Sequence, residues 1–377
     1  MTSEEKIICK NCILPNHFLS IGVNDAGLCD FCADSHHKTE NWKKTFVDEQ
    51  KRRDCLDQWN ALIKKLQKTK DEYAVLLGYS GGKDSTALVD TFLHQYHLKP
   101  FLVTIDTGFM TEVAKENIRQ TLSKLNMEES HLFIEDAAPV FTELYKYMFL
   151  NHDSNEKALT VDVCHTCTDL IHTILVKEAL KRGIEYVIIG FSPDQIARYF
   201  YTTSQEEILK DGIPHPDGFR HYLESNTEIN IFKWFLNENR NAEELPQVLY
   251  PYHVIDYSEE EIIKRIESKG LIDKGKGDPV ITNCHVVKAA LEYDLHRYGG
   301  LTYALQYAEL VRQAPKDEHK RTRKRWLRTY NHVGRSILNG IFSKDQIDLF
   351  LEKIGISKED LHKNIEKKLE SFLKKKT

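Results

Sequence analysis

A short run of glycines and polar residues, SGGKDS at positions 80–85, has the composition of an anion-binding loop. It follows the apolar run AVLLGY and precedes a helical pattern, so two glycines stand between a predicted strand and a predicted helix. Such a loop lets a phosphate approach the backbone, and the first N–H groups of the helix point at the anion. Ser80 and Ser85 add hydroxyl groups and Lys83 adds positive charge, whereas Asp84 suits a Mg2+ ion or the helix N-terminus. The spacing is too short for the Walker pattern G-x-x-x-x-G-K-[ST], but the same physics predicts a phosphate site.

Four of the eight cysteines form two C-x-x-C pairs near the N-terminus, Cys9 with Cys12 and Cys29 with Cys32. Sixteen residues separate the pairs, and the turn-forming sequence NDAG at 24–27 lets the chain return on itself. Two such pairs can close a tetrahedral site of four thiolates. The pattern therefore predicts a structural Zn2+ site with no open coordination position and no chemistry of its own.

A second group of cysteines has a different spacing. Cys164 and Cys167 stand at the predicted start of an amphipathic helix, and Cys284 directly precedes another helical pattern. Thiols at a helix N-terminus shift toward the thiolate, which attacks sulfur or binds metal. If the three meet, they offer one ligand fewer than a closed site, as an open metal centre or a [4Fe-4S] cluster with one open iron requires. Buried thiols that cap helices are the alternative, and Cys55 is assigned no role.

The elements that must position these groups alternate between strands and helices over residues 71–205. The apolar segments YAVLLGY, PFLVTIDTGF, ESHLFIED and EYVIIGF are predicted strands, separated by helices of ten or more residues. This alternation predicts an α/β fold with a doubly wound parallel sheet. Residues 78–85, 106–109 and 190–195 each follow a strand, and such sheets bind ligands at the carboxyl ends of their strands. One pocket is therefore expected there.

Outside this domain the chain is predicted to form a zinc ribbon at 1–40, a linker helix at 41–70 and a mainly helical region at 206–377. Within the helical region, Ser258 and Glu261 fit a capping box. The basic segment HKRTRKRWLR at 319–328 carries Trp326 and would suit nucleic-acid phosphates, although a solvated helix face is the commoner explanation for such a run.

Composition limits the location and the partners. The 377 residues carry a net charge of -5, with 41% hydrophobic and 29% charged residues, which argues against a polyanion binder by bulk charge. No run reaches the ~18 consecutive apolar residues of a membrane span, and the N-terminus lacks the layout of a signal peptide. A cytoplasmic protein without membrane contact is expected, and its thiols are expected to be reduced.

The loop SGGKDS after an apolar strand resembles the signature of the PP-loop ATP pyrophosphatases, which adenylate a substrate oxygen and release pyrophosphate. The resemblance implies the adenine nucleotide alpha-hydrolase-like α/β fold, with ATP and Mg2+ as cofactors. It implies that the pyrophosphate is held by Ser80, Gly81, Gly82, Lys83, Asp84 and Ser85.

Two further segments resemble parts of the same family. Asp106 and Thr107, in TIDTGF, match the region that contacts the adenosine. GFSPDQ stands where these enzymes often carry Gly-His-Asn-x-Asp-Asp, so Gly190 and Asp194 can be carried over, with Gly190 assigned to cofactor binding. Phe191 and Gln195 replace the His and the second Asp, which weakens any metal role there.

Two branches of the family remain open. The opening CKNCILP…DAGLCDFC resembles the amidotransferases that act on N-acetyl sugars with ammonia. The order of ribbon, PP-loop, C-x-x-C and third cysteine over residues 1 to about 300 resembles tRNA and small-molecule thiolation enzymes instead. Those enzymes bind a [4Fe-4S] cluster whose open iron holds sulfide, which assigns Cys164, Cys167 and Cys284 to the cluster. The context ITNC is less like that of the tRNA enzymes, so the acceptor is left open between tRNA and a small molecule.

The primary hypothesis is adenylation of a substrate carbonyl oxygen followed by sulfur insertion, with Lys83, Asp84 and the three cysteines as catalytic residues and a sulfur donor as partner. The alternative is nitrogen transfer to an N-acetyl sugar, with ammonia supplied by a partner glutaminase. A third hypothesis is a non-catalytic nucleotide-binding regulator or nucleic-acid module. The oligomeric state, a homodimer included, is left open.

Overall fold

The computed structural model of the protein describes residues 7–16, 21–33, 49–152, 158–192, 202–277, 284–298, 302–339, 344–361 and 363. The chain divides into two compact units. The first unit comprises Met1–Trp42, Tyr145–His165 and His285–Thr377, and the second comprises Lys43–Leu144 and Thr166–Cys284.

A six-stranded sheet forms the centre of the second unit. Its strands are β1 Val75–Gly78, β2 Pro100–Ile105, β3 His131–Ile134, β4 Tyr186–Ile188, β5 Thr202–Thr203 and β6 Gln247–Leu249. Their order is β3-β2-β1-β4-β6-β5, and all neighbours are parallel except β5, which pairs antiparallel with β6. The parallel α/β sheet predicted from the alternating pattern is therefore confirmed.

The helices of the second unit surround this sheet. They are α2 Glu49–Leu66, α3 Lys83–His94, α4 Glu112–Leu125, α7 Gln205–Asp211, α8 Phe219–Asn226, α9 Ile231–Trp234 and α10 Glu259–Ser268. Trp59 and Ile63 of α2 lie in the same buried cluster as Phe92 of α3 and Leu77 of β1. The helix predicted as a linker thus contributes to the core of this unit, while residues 41–48 of that prediction lie outside the described residues.

Strands β5 and β6 are not among the predicted elements: β5 is only two residues long, and β6 lies in the segment after residue 205, which the sequence predicts to be mainly helical. β6 is only three residues long and stands between Pro246 and Pro251, so no alternating pattern marks it. It forms because its backbone completes the parallel ladder beside β4, where Val187 pairs with Val248. Among the described residues after 206, the other regular elements are helices.

The first unit contains the N-terminal cysteines and a group of helices. These are α1 Asp30–Ala33, α11 His285–Tyr298, α12 Tyr303–Gln313, α13 His319–Leu338 and α14 Lys344–Lys353. One buried cluster joins the four N-terminal cysteines to Leu291, Ala308, Tyr330 and Ile337. The ribbon therefore shares one apolar core with α11, α12 and α13.

Two helices pass from one unit into the other, α5 Ala138–Asn151 and α6 Leu159–Arg182. The start of α6 is capped by Asp294, which accepts hydrogen bonds from the backbone N–H groups of Leu159 and Thr160 at 2.9 and 3.0 Å. By length and composition alone α6 is apolar enough to cross a membrane, but 44% of its most apolar window is buried inside the protein. A core helix passes the same test, and α6 also carries ionisable residues such as Asp169 and Lys177.

Candidate functional site

The predicted phosphate loop lies between the end of β1 at Gly78 and the start of α3 at Lys83. Its first glycine, Gly81, has φ +73°, and a Cβ placed there would lie 2.4 Å from the carbonyl oxygen of Ala114. Both the backbone conformation and the approach of α4 therefore require glycine at this position.

The second glycine, Gly82, has a different environment. Its φ of -81° suits any residue, and in the described part of the chain a Cβ there would meet only Ser80 Oγ, at 3.4 Å. Gly82 is also the N-cap of α3, and among the described residues no side chain caps that end of the helix. The protein's own packing does not explain this glycine, whereas an anion lying against the loop backbone would.

The two serines stabilise the loop itself. Ser80 Oγ and Ser85 Oγ lie 3.1 Å apart, the N–H of Ser80 donates to Ser85 Oγ at 3.3 Å, and Ser85 Oγ donates to Gly82 O at 3.2 Å. Their hydroxyl groups were predicted to bind phosphate. In this structure they tie the first residue of the loop to the start of the helix.

Lys83 and Asp84 form a buried ion pair. Lys83 Nζ lies 2.6 Å from Asp84 Oδ2, and the Tyr257 hydroxyl donates to Asp84 Oδ1 at 2.9 Å. Lys83 Nζ also lies 3.3 Å from the Tyr257 hydroxyl and 3.4 Å from Glu259 Oε1. The sequence predicts Lys83 facing phosphate and Asp84 facing Mg2+ or the helix N-terminus; in this structure Asp84 lies in the first turn of α3 and pairs with Lys83, since pairing compensates buried charges. Tyr257 and Glu259 could not be predicted, since they follow the loop by more than 170 residues.

Asn117 of α4 connects the loop to a distant part of the chain. Its Nδ2 donates to Gly81 O at 3.1 Å and to Lys276 O at 3.0 Å. A Cβ placed on Gly277 would lie 3.6 Å from Lys83 Cβ, so the segment 271–277 lies against the loop. The sequence offered no signal for this fully buried amide beyond its polar character in an apolar helix face.

The residues after β2 have separate roles. Asp106 Oδ1 accepts a hydrogen bond from the N–H of Gly108 at 2.8 Å, and Asp106 Oδ2 lies 3.1 Å from Lys115 Nζ. Asp106 thus stabilises its own turn. Thr107 is buried, and its Oγ1 finds no hydrogen-bond partner in the described chain. A buried hydroxyl without a partner is costly, so Thr107 is suited to a ligand that would supply one.

The chain after β4 packs directly on the loop. A Cβ on Gly190 would lie 3.3 Å from both the N and the Cα of Ser85. Glycine at this position therefore permits the close approach of the chain after β4 to the first turn of α3. Asp194 and Gln195 lie outside the described residues.

A group of ionisable side chains lies in the same unit. His215 Nε2 lies 3.4 Å from Asp169 Oδ2, and burial, with a smaller contribution from the Asp211 carboxylate, raises the pKa of Asp169 to about 7. Burial also lowers the pKa of His215. These residues follow no sequence motif that would predict their grouping. A cavity of about 380 Å³ in this unit lies at the opposite, amino ends of β4 and β6, beside Tyr186 and Gln247.

The four N-terminal cysteines form a compact site in the first unit. Their sulfur atoms all lie within 4.8 Å of one another, and they are the one such group of His, Cys, Asp and Glu ligands in the described ranges. The N–H groups of Cys12 and Cys29 both donate to Cys9 Sγ, at 3.5 and 3.3 Å. Hydrogen bonds from neighbouring thiols, that of Cys12 first, lower the pKa of Cys9 and bring the pKa of Cys32 to about 6. Four buried sulfurs at this separation fit a tetrahedral metal ion.

The local sequence explains how the two cysteine pairs meet. Gly27 has φ +78°, and its carbonyl accepts a hydrogen bond from the N–H of Lys10 at 2.8 Å. Arg323 of α13 donates to Cys12 O at 2.7 Å and to Cys9 O at 2.8 Å. One member of the predicted basic segment therefore holds the ribbon.

The basic segment of α13 also contains Trp326, whose ring packs within the protein. Trp326 stacks on Tyr307 with ring centroids 4.5 Å apart and an interplanar angle of 20°. Arg321, Arg325 and Arg328 are exposed. Trp326 is therefore occupied by the protein, and the exposed arginines remain as a charged face.

The three remaining candidate cysteines are all partly exposed. Cys164 and Cys167 lie in the second and third turns of α6, because the helix begins at Leu159, earlier than predicted. The helix dipole acts mainly on the first turn, so its effect on these thiols is smaller than the sequence suggested. Cys284 directly precedes α11, as predicted. Cys164 belongs to the first unit and the other two to the second, so their meeting stays a prediction.

No protein-family model and no curated protein sequence matches the chain. Two solved structures are similar to it in fold. The U34-tRNA thiolase NcsA from Methanococcus maripaludis with its [4Fe-4S] cluster has 14% sequence identity and a TM-score of 0.34, over 88% of this chain and 89% of that chain. The NH3-dependent NAD synthetase from Campylobacter jejuni, in complex with the nitrate ion, has 13% identity and a TM-score of 0.35, over 78% of this chain and 96% of that chain.

The two matched proteins are named for different reactions. One is a thiolase and the other uses ammonia, so the pair does not separate the two branches. The features of this chain that bear on its function are its own loop at residues 80–85 and its cysteines.

Proposed function

We propose that the protein is an ATP pyrophosphatase of the PP-loop type, which transfers AMP to a substrate carbonyl oxygen and releases pyrophosphate. The observation that carries this proposal is the environment of Gly82. The glycine leaves open space over the backbone at an uncapped helix N-terminus, beside the carboxyl ends of parallel strands. A triphosphate needs such a surface, because backbone N–H groups can then reach its oxygens.

The chain supplies a group for each part of the nucleotide. The loop from Ser80 to Ser85, with Gly81 and Gly82, would hold the pyrophosphate, and Lys83 would offset the charge that develops on it. The Thr107 hydroxyl and the turn at Asp106 would contact the adenosine, with Gly190 closing the site against the loop. Mg2+, when bound, supplies further charge neutralisation, and the Asp84 carboxylate is its candidate ligand. Adenylation turns an unreactive oxygen into AMP, a good leaving group.

The loop can be tested with the two glycines as a contrasting pair. Gly82→Ala should keep the thermal stability of the wild type but lose most Mg-ATP affinity by calorimetry, because its Cβ enters open space that the phosphates need. Gly81→Ala should lower the stability itself, because its Cβ meets the Ala114 carbonyl. If Gly82→Ala bound Mg-ATP as tightly as the wild type, the loop would not be the phosphate site.

For the second step we propose sulfur insertion. A sulfur nucleophile attacks the adenylated carbon, a carbon–sulfur bond forms, the carbon–oxygen bond to AMP breaks, and AMP leaves. Cys164, Cys167 and Cys284 support this step because they are partly exposed and of the right type and order. A [4Fe-4S] cluster, if bound, would be held by these three thiolates and would supply sulfide, and a persulfide on one of them is the cluster-free form. The sulfur donor is then a partner, and the acceptor is tRNA or a small molecule.

The alternative second step is nitrogen transfer to an N-acetyl sugar with ammonia from a glutaminase, which the sequence around the ribbon favours. Serine variants of the three cysteines separate the two. For sulfur insertion, Cys164→Ser, Cys167→Ser and Cys284→Ser should abolish the thiolated product but keep ATP-dependent pyrophosphate release. Cys55→Ser is the matched control. Turnover that survives in all three variants would favour nitrogen transfer.

The remaining assignments follow from the same proposal. The N-terminal site would hold Zn2+ in a structural role, since its four sulfurs leave no open position. A cytoplasmic location suits reduced thiols and an ATP supply.

A further inference from the structure

In the described part of the chain, three oxygens lie within 3.4 Å of the ammonium group of Lys83. They belong to Asp84 at 2.6 Å, Tyr257 at 3.3 Å and Glu259 at 3.4 Å. An ammonium has three N–H donors. Asp84 and Tyr257 accept hydrogen bonds from this ammonium and Glu259 adds an ion pair, so a phosphate oxygen that binds Lys83 must compete with these contacts.

The three acceptors differ in how firmly they are held. Asp84 and Tyr257 are bound to each other, since the Tyr257 hydroxyl donates to Asp84 Oδ1 at 2.9 Å. The Asp84 side chain is only 11% exposed, whereas that of Glu259 is 55% exposed. Glu259 also has the longest contact. It is therefore the acceptor that costs least to replace.

Glu259 has a second source of stabilisation. It is the first residue of α10, whose N-cap Ser258 accepts a hydrogen bond from the N–H of Glu261 at 3.4 Å. A carboxylate in the first turn of a helix is stabilised by the helix dipole. Glu259 can thus release Lys83 without being left as an uncompensated charge.

We propose that Glu259 is a positioning residue that competes with the triphosphate for Lys83, holding the ammonium until the nucleotide takes its place. This inference rests on the proposed function. Its chemistry is an exchange of acceptors, in which a carboxylate oxygen leaves the ammonium and a phosphate oxygen replaces it. Asp84 and Tyr257 stay in place and keep Lys83 near the loop.

The exchange predicts that removing the Glu259 charge tightens nucleotide binding. Glu259→Gln should bind Mg-ATP roughly two- to fivefold more tightly than the wild type, a change of the size of a partly exposed ion pair. The affinity for adenosine should not change, because adenosine has no phosphate to exchange. Calorimetry at low ionic strength measures both affinities.

Glu260→Gln is the matched control, because it removes the same charge from the same helix turn and Glu260 makes no ion pair in the described chain. It should shift the Mg-ATP affinity less than Glu259→Gln does. Equal shifts in the two variants, or weaker binding in Glu259→Gln, would overturn the inference. If the wild type itself bound no Mg-ATP, the proposed function would fail instead, and thermal unfolding curves confirm that both variants are folded.

Discussion

Asp84 has a structural role that must be separated from its proposed role at the nucleotide. Of the three oxygens described around Lys83 Nζ, that of Asp84 is the nearest, and Lys83 is only 5% exposed. Removing one member of a buried pair leaves the other charge poorly compensated. A loss of activity on mutation is therefore not by itself evidence of catalysis.

Asp84→Ala is accordingly expected to destabilise the fold by about 3 kcal/mol, as for other broken buried pairs. The double replacement Lys83→Met with Asp84→Leu should cost less, since it removes both charges. Denaturant unfolding of the two variants and the wild type measures this difference. If Asp84→Ala proved as stable as the wild type, the ion pair would not contribute to the fold.

A second residue near the loop predicts how stability depends on pH. His131 Nε2 lies 2.8 Å from Thr104 Oγ1, whose hydroxyl donates to Tyr79 O just before the loop. Burial lowers the pKa of His131 to about 4. The folded state therefore holds the ring neutral, while the unfolded chain takes up a proton below its ordinary pKa of about 6.5.

The free energy of unfolding should consequently be highest above pH 6.5 and fall as the pH drops from 6.5 toward 4, by roughly 1–3 kcal/mol from this residue. His131→Asn should flatten that part of the profile. Denaturant unfolding at several pH values checks it, with the exposed His221→Asn as control. If the free energy of unfolding of His131→Asn fell with pH as steeply as that of the wild type, other groups would cause the acid sensitivity.

At the scale of elements, the local patterns that could be predicted are those that need no distant partner. Strands β1 to β4 carry apolar runs between helices, and Ser258 caps α10 as its sequence indicates, accepting a hydrogen bond from the N–H of Glu261. β6 could not be predicted, because three residues form a strand only when β4 supplies the ladder. The same limit applies to the site. The loop is local in sequence, whereas its contacts with Tyr257, Glu259 and Lys276 arise only on folding.

Helix α13 should stabilise the ribbon through one side chain. The Arg323 guanidinium donates to both Cys9 O and Cys12 O, and hydrogen bonds to charged groups contribute about 1.5–3 kcal/mol each. Arg323→Ala should lower the apparent Zn2+ affinity and the thermal midpoint. Exposed Arg321→Ala on the same helix is the control, since it removes equal charge. Equal Zn2+ affinities in the two variants would show that Arg323 does not stabilise the ribbon.

At the scale of the whole molecule, the two candidate sites lie in different buried clusters of the described residues. The ribbon cysteines lie in a cluster with α11, α12 and α13, whereas the loop rests on the sheet of the second unit. Removal of the metal should therefore destabilise the first unit, which contains the four cysteines, before the second. A strong chelator is expected to lower the helical signal of the first unit and leave Mg-ATP affinity within about twofold. A zinc assay and calorimetry on the same sample test this, and parallel loss of both would show that the ribbon also supports the loop.

The side chain of Asn117 binds two backbones that are far apart in sequence, at Gly81 and Lys276. A ligand that moves the loop backbone is therefore expected to act, through this amide, on the turn that contains Lys276. An environment-sensitive dye attached at the exposed position 274 would report occupancy without touching the nucleotide. The fold thus offers a ready position for an optical sensor, several residues away from any group that the chemistry needs.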